Sequence, residues 1–166
     1  EARSMTDEAH ALALLCNGDD ACRAEALDRF RQRWSGDHLV IDTWFAVQAQ
    51  SVLPRALDDV KQLTRDPLFD LKAPNKVRAL LGGFALQNPR QFNRPDGAGY
   101  RFVADTILEI DRFNPQIAAR MLGCFKSWRA LEPGRRTLAR NALTRVAKTG
   151  NLSPDVYEIV TKMLET

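Results

Sequence analysis

Histidine and cysteine are scarce in this chain, and no apolar run is long. Of 166 residues, two are histidine and three are cysteine. No run reaches the roughly 18 consecutive apolar residues that a membrane-spanning helix needs. A catalytic zinc site takes histidines spaced on one helix face, as in H-E-x-x-H, and neither His10 nor His38 has that context. These shortages predict a chain without a membrane segment or a metal site of its own.

Motifs for covalent or phosphate chemistry are also missing. No serine stands in a G-x-S-x-G elbow, and no glycine-rich loop is followed by Lys-Ser or Lys-Thr. Gly82 and Gly83 lie inside an apolar helical run, where we expect them to permit close packing of helices. Three pairs of carboxylates are interpreted as solvated charges: Asp19 with Asp20, Asp58 with Asp59, and Glu109 with Asp111. We therefore expect no catalytic residue in the chain.

The cysteines and the first residues indicate the compartment. Cys16, Cys22 and Cys124 form an odd set without repeated spacing, which favours free thiols in a reducing compartment, although a Cys16–Cys22 bridge remains an alternative. Residues 1–6 show no basic segment followed by an apolar run, so no signal peptide is predicted. Because the chain does not begin with Met and its first residues already have a helical pattern, we expect a fragment of a longer cytoplasmic polypeptide.

Helical periodicity runs through the whole sequence. Apolar residues recur at steps of three and four, as at Leu27, Phe30 and Trp34, and no stretch alternates convincingly with period two. Three predicted helix starts pair a good N-cap residue with a proline suited to the first turn: Asn88-Pro89, Asn114-Pro115 and Ser153-Pro154. Three glycines stand where helices are expected to stop: Gly18, Gly36 and Gly150.

These patterns predict an all-α fold. The predicted helices span residues 6–16, 19–34, 38–50, 54–65, 74–86, 97–113, 115–130, 134–148 and 153–165, with a short helical turn at 89–92. Short connections favour antiparallel neighbours, and successive helix pairs span roughly 30–40 residues, the scale of armadillo and HEAT units. No repeat consensus recurs. We predict a single domain over residues 1–166 in which antiparallel helix hairpins stack into a curved superhelical array.

Positive charge is concentrated in one part of the chain. The net charge is only +3, but residues 115–148 contain eight Lys or Arg against a single acid, Glu132. Such a stretch is most often a solvated helix face, and it could also attract nucleic acid, an acidic partner surface or a peptide carboxylate. Because no recognition-helix motif accompanies it, nucleic-acid binding is the least favoured of these roles.

Five groups of residues resemble a known family and keep its order and spacing. They are Trp34 with LV at 39–40 and DTWF at 42–45; APNKVRALLGGF at 73–84; NPRQF at 88–92 with DGAGYRF at 96–102; NPQIAAR at 114–120; and NLSPDVYEIVTK at 151–162. Together they resemble the C-terminal domain of bacterial aminopeptidase N, a zinc-dependent alanyl aminopeptidase of the gluzincin group. The resemblance covers nearly the whole chain.

The resemblance implies a role inside a larger enzyme. In that family the enzyme removes N-terminal residues from peptides with one zinc ion, and the zinc ligands and glutamate base belong to an upstream catalytic domain. The C-terminal domain is a helical bowl that closes over the catalytic domain, walls a large cavity and restricts entry to peptides and unfolded ends. The implied partners are the catalytic domain and a peptide, with no nucleic acid or membrane. This chain alone is expected to be inactive and to bind no zinc.

Three residues are carried over from the resemblance as candidates for the cavity. Arg120 matches an arginine that reaches bound ligand, and Gln116, one helical turn earlier, matches a neighbour on the same surface. Arg78 matches an arginine near the domain contact or cavity. A guanidinium can hold a peptide carboxylate through paired charge-assisted hydrogen bonds. Without the resemblance, Arg120 would be interpreted as an ordinary salt-bridged surface arginine.

A second hypothesis uses the same helix pairs differently. The chain could be a free-standing helical-repeat module that holds a protein partner on a concave surface. A native gene encoding only these residues would favour this hypothesis over the aminopeptidase domain.

Overall fold

Every regular element is a helix in the part of the chain that this computed structural model describes, residues 4–18 and 21–165. The predicted all-α class is therefore confirmed. The chain divides into two compact units, residues 1–91 and 92–166. Each unit is described by itself, and the expectation of one domain over 1–166 stays a prediction.

The first unit is arranged around one apolar helix. It contains α1 (Met5–Leu15), α2 (Ala21–Trp34), α3 (His38–Ala49), α4 (Ala56–Leu63) and a continuous helix over residues 74–87. That last helix comprises α5 (Pro74–Val77), a π-helical segment (Arg78–Gly82) and α6 (Gly83–Gln87). The helix α3 packs against all the others, because its apolar residues surround it on more than one side.

One glycine allows α3 and α6 to approach closely. A Cβ atom on Gly83 would lie 3.2 Å from Cβ of Ala49 and 3.7 Å from the carbonyl oxygen of Ala46. The expected packing role is therefore confirmed for Gly83. It is wrong for Gly82, where an added Cβ would meet only Arg78 and Val77 of its own helix, at 3.8 Å.

The short helix α7 (Pro89–Phe92) ends at the first residue of the second unit. This unit contains α8 (Ala98–Asp111), α9 (Pro115–Met121), α10 (Pro133–Ala147) and α11 (Pro154–Glu165), with 3-10 turns at Leu122–Phe125 and Trp128–Ala130. The helix α8 packs against α9 and α10, and α11 packs against the same two helices. The rings of Phe92, Tyr100 and Phe125 form an edge-to-face cluster, with Phe92 about 5 Å from each partner (5.1 and 5.2 Å).

The prediction of one helix over residues 115–130 is wrong in its second half. The α-helix ends at Met121 and continues as two 3-10 turns. Phe125 and Trp128 are still buried, as their spacing indicated. The Trp128 indole N–H donates to the carbonyl oxygen of Met163 on α11, at 3.1 Å. Burial and this long-range hydrogen bond therefore determine the backbone conformation here, and they override the local preference for an α-helix.

The predicted helix starts are confirmed at the level of single hydrogen bonds. The side-chain oxygens of Asn88, Asn114 and Ser153 each accept a backbone N–H three residues further on, at 3.3, 3.2 and 3.2 Å respectively. Each therefore satisfies one of the free donors of a helix N-terminus, and the proline beside it has no N–H to satisfy.

Two carboxylates that were interpreted as solvated are buried, each 7% exposed. Asp59 forms ion pairs with Arg23 at 2.8 Å and Arg55 at 3.1 Å. Asp111 accepts the backbone N–H of Ser153 at 2.9 Å and its hydroxyl as well. Arg23 is 36 residues from Asp59 and Ser153 is 42 residues from Asp111, so no local sequence pattern reveals these contacts. The neighbours Asp58 and Glu109 are exposed as predicted, and Asp19 and Asp20 lie outside the described residues.

The turn before α8 depends on a glycine with a left-handed backbone. Gly97 has φ of +67°, and a Cβ there would lie 3.1 Å from side-chain atoms of Leu138. We expect Gly97→Ala to lower the free energy of unfolding by about 1–3 kcal/mol, because it adds strain and a clash. Gly36→Ala is the control, since Gly36 has open space around it. Urea denaturation showing equal losses for the two variants would contradict this account.

Candidate substrate-facing surface

Gln116 and Arg120 project from the exposed side of α9. Asn114 caps this helix and Pro115 fills its first turn, so its first residue is fixed in the sequence. Residues 118, 119 and 121 are buried and hold the helix in the second unit. Gln116 and Arg120 are both exposed, and residues four apart share a helix face. The structure therefore brings these two candidate residues together.

The Arg120 guanidinium has no ion pair and no hydrogen bond with residues 4–18 or 21–165. Arg120 therefore does not form an ordinary surface salt bridge with any of these residues. Its five N–H donors are therefore left for water or for an acceptor from elsewhere. Other arginines of this unit contact a carboxylate: Arg94, Arg135 and Arg145. Arg112 and Arg140 contact no carboxylate of the described residues, so the absence of such a partner does not single out Arg120 by itself.

Arg78 belongs to the first unit, where it begins the π-helical segment. Its side chain is exposed and donates to the amide oxygen of Asn75 at 2.9 Å. It lines a groove of about 350 Å³ between α3 and the helix over 74–87. A π-helical turn inside an α-helix is often found at a functional site. The groove has several polar lining residues: Asp42, Thr43, Gln50, Asn75 and Gln87.

A buried lysine holds this groove in shape. Lys76 is 7% exposed, and its ammonium group lies 2.7 Å from a carboxylate oxygen of Asp42 and donates to the carbonyl oxygen of His38 at 3.1 Å. These contacts join the start of α3 to the residues just before Arg78. Sequence reasoning did not place Asp42 or Thr43 in a site. The available signal was a pair of adjacent polar residues flanked by the apolar residues Ile41 and Trp44.

The cysteine thiols are unsuited to nucleophilic catalysis where they are buried. All three cysteines are free, so the Cys16–Cys22 bridge is not formed. Burial raises the pKa of the Cys16 thiol to about 11, and burial also raises the pKa of Cys124. A reactive cysteine needs a lowered pKa, because the thiolate is the nucleophile.

The described residues offer no ligand set for zinc. Residues 4–18 and 21–165 contain no group of three or more His, Cys, Asp or Glu side chains placed to hold a metal ion. His10 and His38 are both exposed and belong to different helices. Among the same residues, no helix is long and apolar enough to cross a membrane.

Comparison with known proteins identifies the family. A family model described as "Domain of unknown function (DUF3458_C) ARM repeats" matches residues 1–165. The chain belongs to this ARM-repeat family. The ARM-repeat domain is 42% identical over 163 residues to aminopeptidase N of Caulobacter vibrioides, and 34% identical over 164 residues to aminopeptidase N of Escherichia coli. These matches cover 98% and 99% of the chain, so the resemblance inferred from the five groups of residues is confirmed.

A solved structure gives the same result for the fold. The crystal structure of Legionella pneumophila aminopeptidase A in complex with aspartic acid matches the ARM-repeat domain with a TM-score of 0.92 at 34% identity. The match covers 98% of this chain and 19% of that one. The chain likewise spans only 19% of the length of the two aminopeptidase N relatives. The relatives are therefore much longer proteins, in which this domain is one part.

Proposed function

We propose that this ARM-repeat domain is the C-terminal part of a zinc aminopeptidase that removes N-terminal residues from peptides. In this proposal the domain walls the active-site cavity and restricts entry to peptides and unfolded chain ends. Zinc, its ligands and the catalytic base belong to another domain of the same polypeptide. The support is that the relatives are aminopeptidases and that the domain accounts for 19% of their length. A cytoplasmic location is part of the proposal, since the three free thiols would stay reduced there.

The observation that carries the proposal is the pair formed by Gln116 and Arg120 on one exposed helix face. A peptide substrate carries a carboxylate, and a guanidinium without another acceptor can hold it through two parallel hydrogen bonds. In a cavity with little water that contact gains strength and orients the substrate. Gln116 can donate to or accept from the peptide backbone beside it. Arg78 is likewise proposed as a residue that faces substrate, on the basis of the resemblance.

A wall of this kind works only if its side chains are held in place. The helix α9 is fixed at its start by the Asn114 cap and along its buried side by Ala118, Ala119 and Met121. Arg78 is held by its bond to Asn75, two residues after the buried ion pair of Lys76. Both candidate arginines therefore extend from a supported backbone, which limits the entropy lost when a ligand is bound.

The test uses the complete polypeptide encoded by the native gene. We expect it to release N-terminal residues from short peptides in a zinc-dependent manner, whereas residues 1–166 alone release none. The cavity role is tested with one small protein in a folded and a permanently unfolded form that share an N-terminal sequence. We expect cleavage of the unfolded form only. Equal cleavage of both forms would overturn the access-restricting role. A gene that encodes only these residues would favour the free-standing binding module.

A further inference from the structure

A basic pocket of about 430 Å³ lies on the second unit, between the first half of α10 and the end of α11. Its lining residues are Trp128, Arg129, Arg136, Thr137, Arg140 and Leu164. Three of the six carry a guanidinium group, and none carries a carboxylate. The pocket contains none of the residues proposed to face the peptide cavity.

None of the three arginines forms an ion pair within 4 Å or a hydrogen bond with a carboxylate among residues 4–18 and 21–165. The Arg129 guanidinium lies 4.4 Å from the centre of the Trp128 ring and donates to the carbonyl oxygen of Leu164 at 2.8 Å. Arg136 donates through Nε to the carbonyl oxygen of Leu131 at 3.2 Å, and Arg140 makes no hydrogen bond to the described residues. Arg129 is thus fixed in place, while most N–H donors of Arg136 and Arg140 have no acceptor within the described part of the chain.

This arrangement is unfavourable in an empty pocket. Arg136 and Arg140 are four residues apart on α10, and like charges at that spacing destabilise a helix by a few tenths of a kcal/mol. Arg136 also lies near the N-terminus of α10, where the helix dipole already provides positive potential. Glu132, the acid at the start of α10, caps the helix by accepting the backbone N–H groups of Gly134 and Arg135, both at 2.7 Å. A bound anion would offset the remaining positive charge.

We propose that this pocket binds a small, multiply charged oxyanion of the phosphate type. Guanidinium groups match phosphate oxygens in pairs, and three of them line this one pocket. Trp128 and Leu164 supply the apolar part of the pocket lining. The proposal does not depend on the aminopeptidase function, because no residue is shared between the two sites.

Isothermal titration with inorganic pyrophosphate tests the proposal on the complete polypeptide at low ionic strength. We expect the double variant Arg136→Gln/Arg140→Gln to bind pyrophosphate at least about tenfold more weakly, a loss of about 1.4 kcal/mol. The control Arg112→Gln/Lys148→Gln removes the same charge from exposed residues outside the pocket and should change the Kd by less than about twofold. The difference between the two double variants isolates the pocket from any other pyrophosphate site on the polypeptide.

A second variant keeps the charge and removes the guanidinium geometry. Arg136→Lys/Arg140→Lys should bind with intermediate affinity, since a lysine acts as a point charge without paired donors. No measurable binding by the parent protein, or equal losses in the pocket and control variants, would overturn the proposal. It would also be overturned if a short single-stranded RNA bound through these two arginines with steep salt dependence and pyrophosphate did not bind.

Discussion

Arg120→Ala in the complete polypeptide is expected to lower kcat/KM by about 10- to 100-fold for short peptides with a free C-terminal carboxylate. A hydrogen bond to a charged group is worth about 1.5–3 kcal/mol, and each 1.36 kcal/mol is a factor of about ten in rate. The guanidinium has no partner in the described chain, so the substitution breaks no contact there that stabilises the fold. Steady-state kinetics on a series of peptides measures the effect.

Peptides with an amidated C-terminus separate a carboxylate contact from a general loss of activity. Arg120→Ala should affect these substrates far less, because the group that Arg120 is proposed to hold is already absent. Arg112→Ala is the matched control, since Arg112 is also exposed and unpaired in the described part of the same unit. Arg120→Lys should restore part of the rate. Unchanged kinetics on both kinds of peptide would remove Arg120 from the site.

Asp59→Ala is expected to lower the free energy of unfolding by about 3 kcal/mol or more. The side chains of Asp59 and Arg23 are 9% and 8% exposed, and they join α4 to α2 at 2.8 Å. Removing the carboxylate leaves the buried guanidinium without this counter-charge, which is the costly way to break a buried ion pair. Because the loss comes from an uncompensated charge, it should exceed that of an ordinary surface substitution several-fold.

Two further variants make the stability prediction specific. Asp58→Ala, one residue earlier and exposed, should change the free energy of unfolding by less than about 0.5 kcal/mol. The double variant Arg23→Met/Asp59→Leu should recover much of the loss, because apolar residues of similar size can replace a buried pair. Chemical denaturation of each variant provides the values. A small effect of Asp59→Ala, or no recovery in the double variant, would contradict the importance assigned to this pair.

Local chemistry explains why the helices could be predicted. Asn114-Pro115 and Ser153-Pro154 fix their helix starts through bonds that span only three residues, so the sequence alone contains the necessary information. The prediction of one helix over residues 115–130 is wrong in its second half, because that segment depends on the Trp128 indole N–H donating to the carbonyl oxygen of Met163, 35 residues away. The periodicity correctly indicated which residues are buried, but it could not show which backbone geometry would bury them.

The buried carboxylates show the same limit at the level of single residues. In sequence, Asp59 and Asp111 resemble their exposed neighbours. Their burial is tolerated because the fold brings Arg23 to Asp59 and Ser153 to Asp111, which offsets the loss of hydration. The candidate site has a different limit. The resemblance identified Arg120, Gln116 and Arg78, and the structure added that Arg120 has no partner in the described chain. The groove around Arg78 could not be predicted from the sequence, because its walls come from two helices that are distant in sequence.

A crystal structure of the complete polypeptide with a non-cleavable peptide bound tests the central claim most directly. We expect the Arg120 guanidinium within about 3 Å of a ligand oxygen, with Gln116 beside it, since charge-assisted hydrogen bonds have that length. The peptide should lie in an enclosed space with this ARM-repeat domain as one of its walls. A peptide bound in the open, with Arg120 facing bulk solvent on the outside of the protein, would contradict the account.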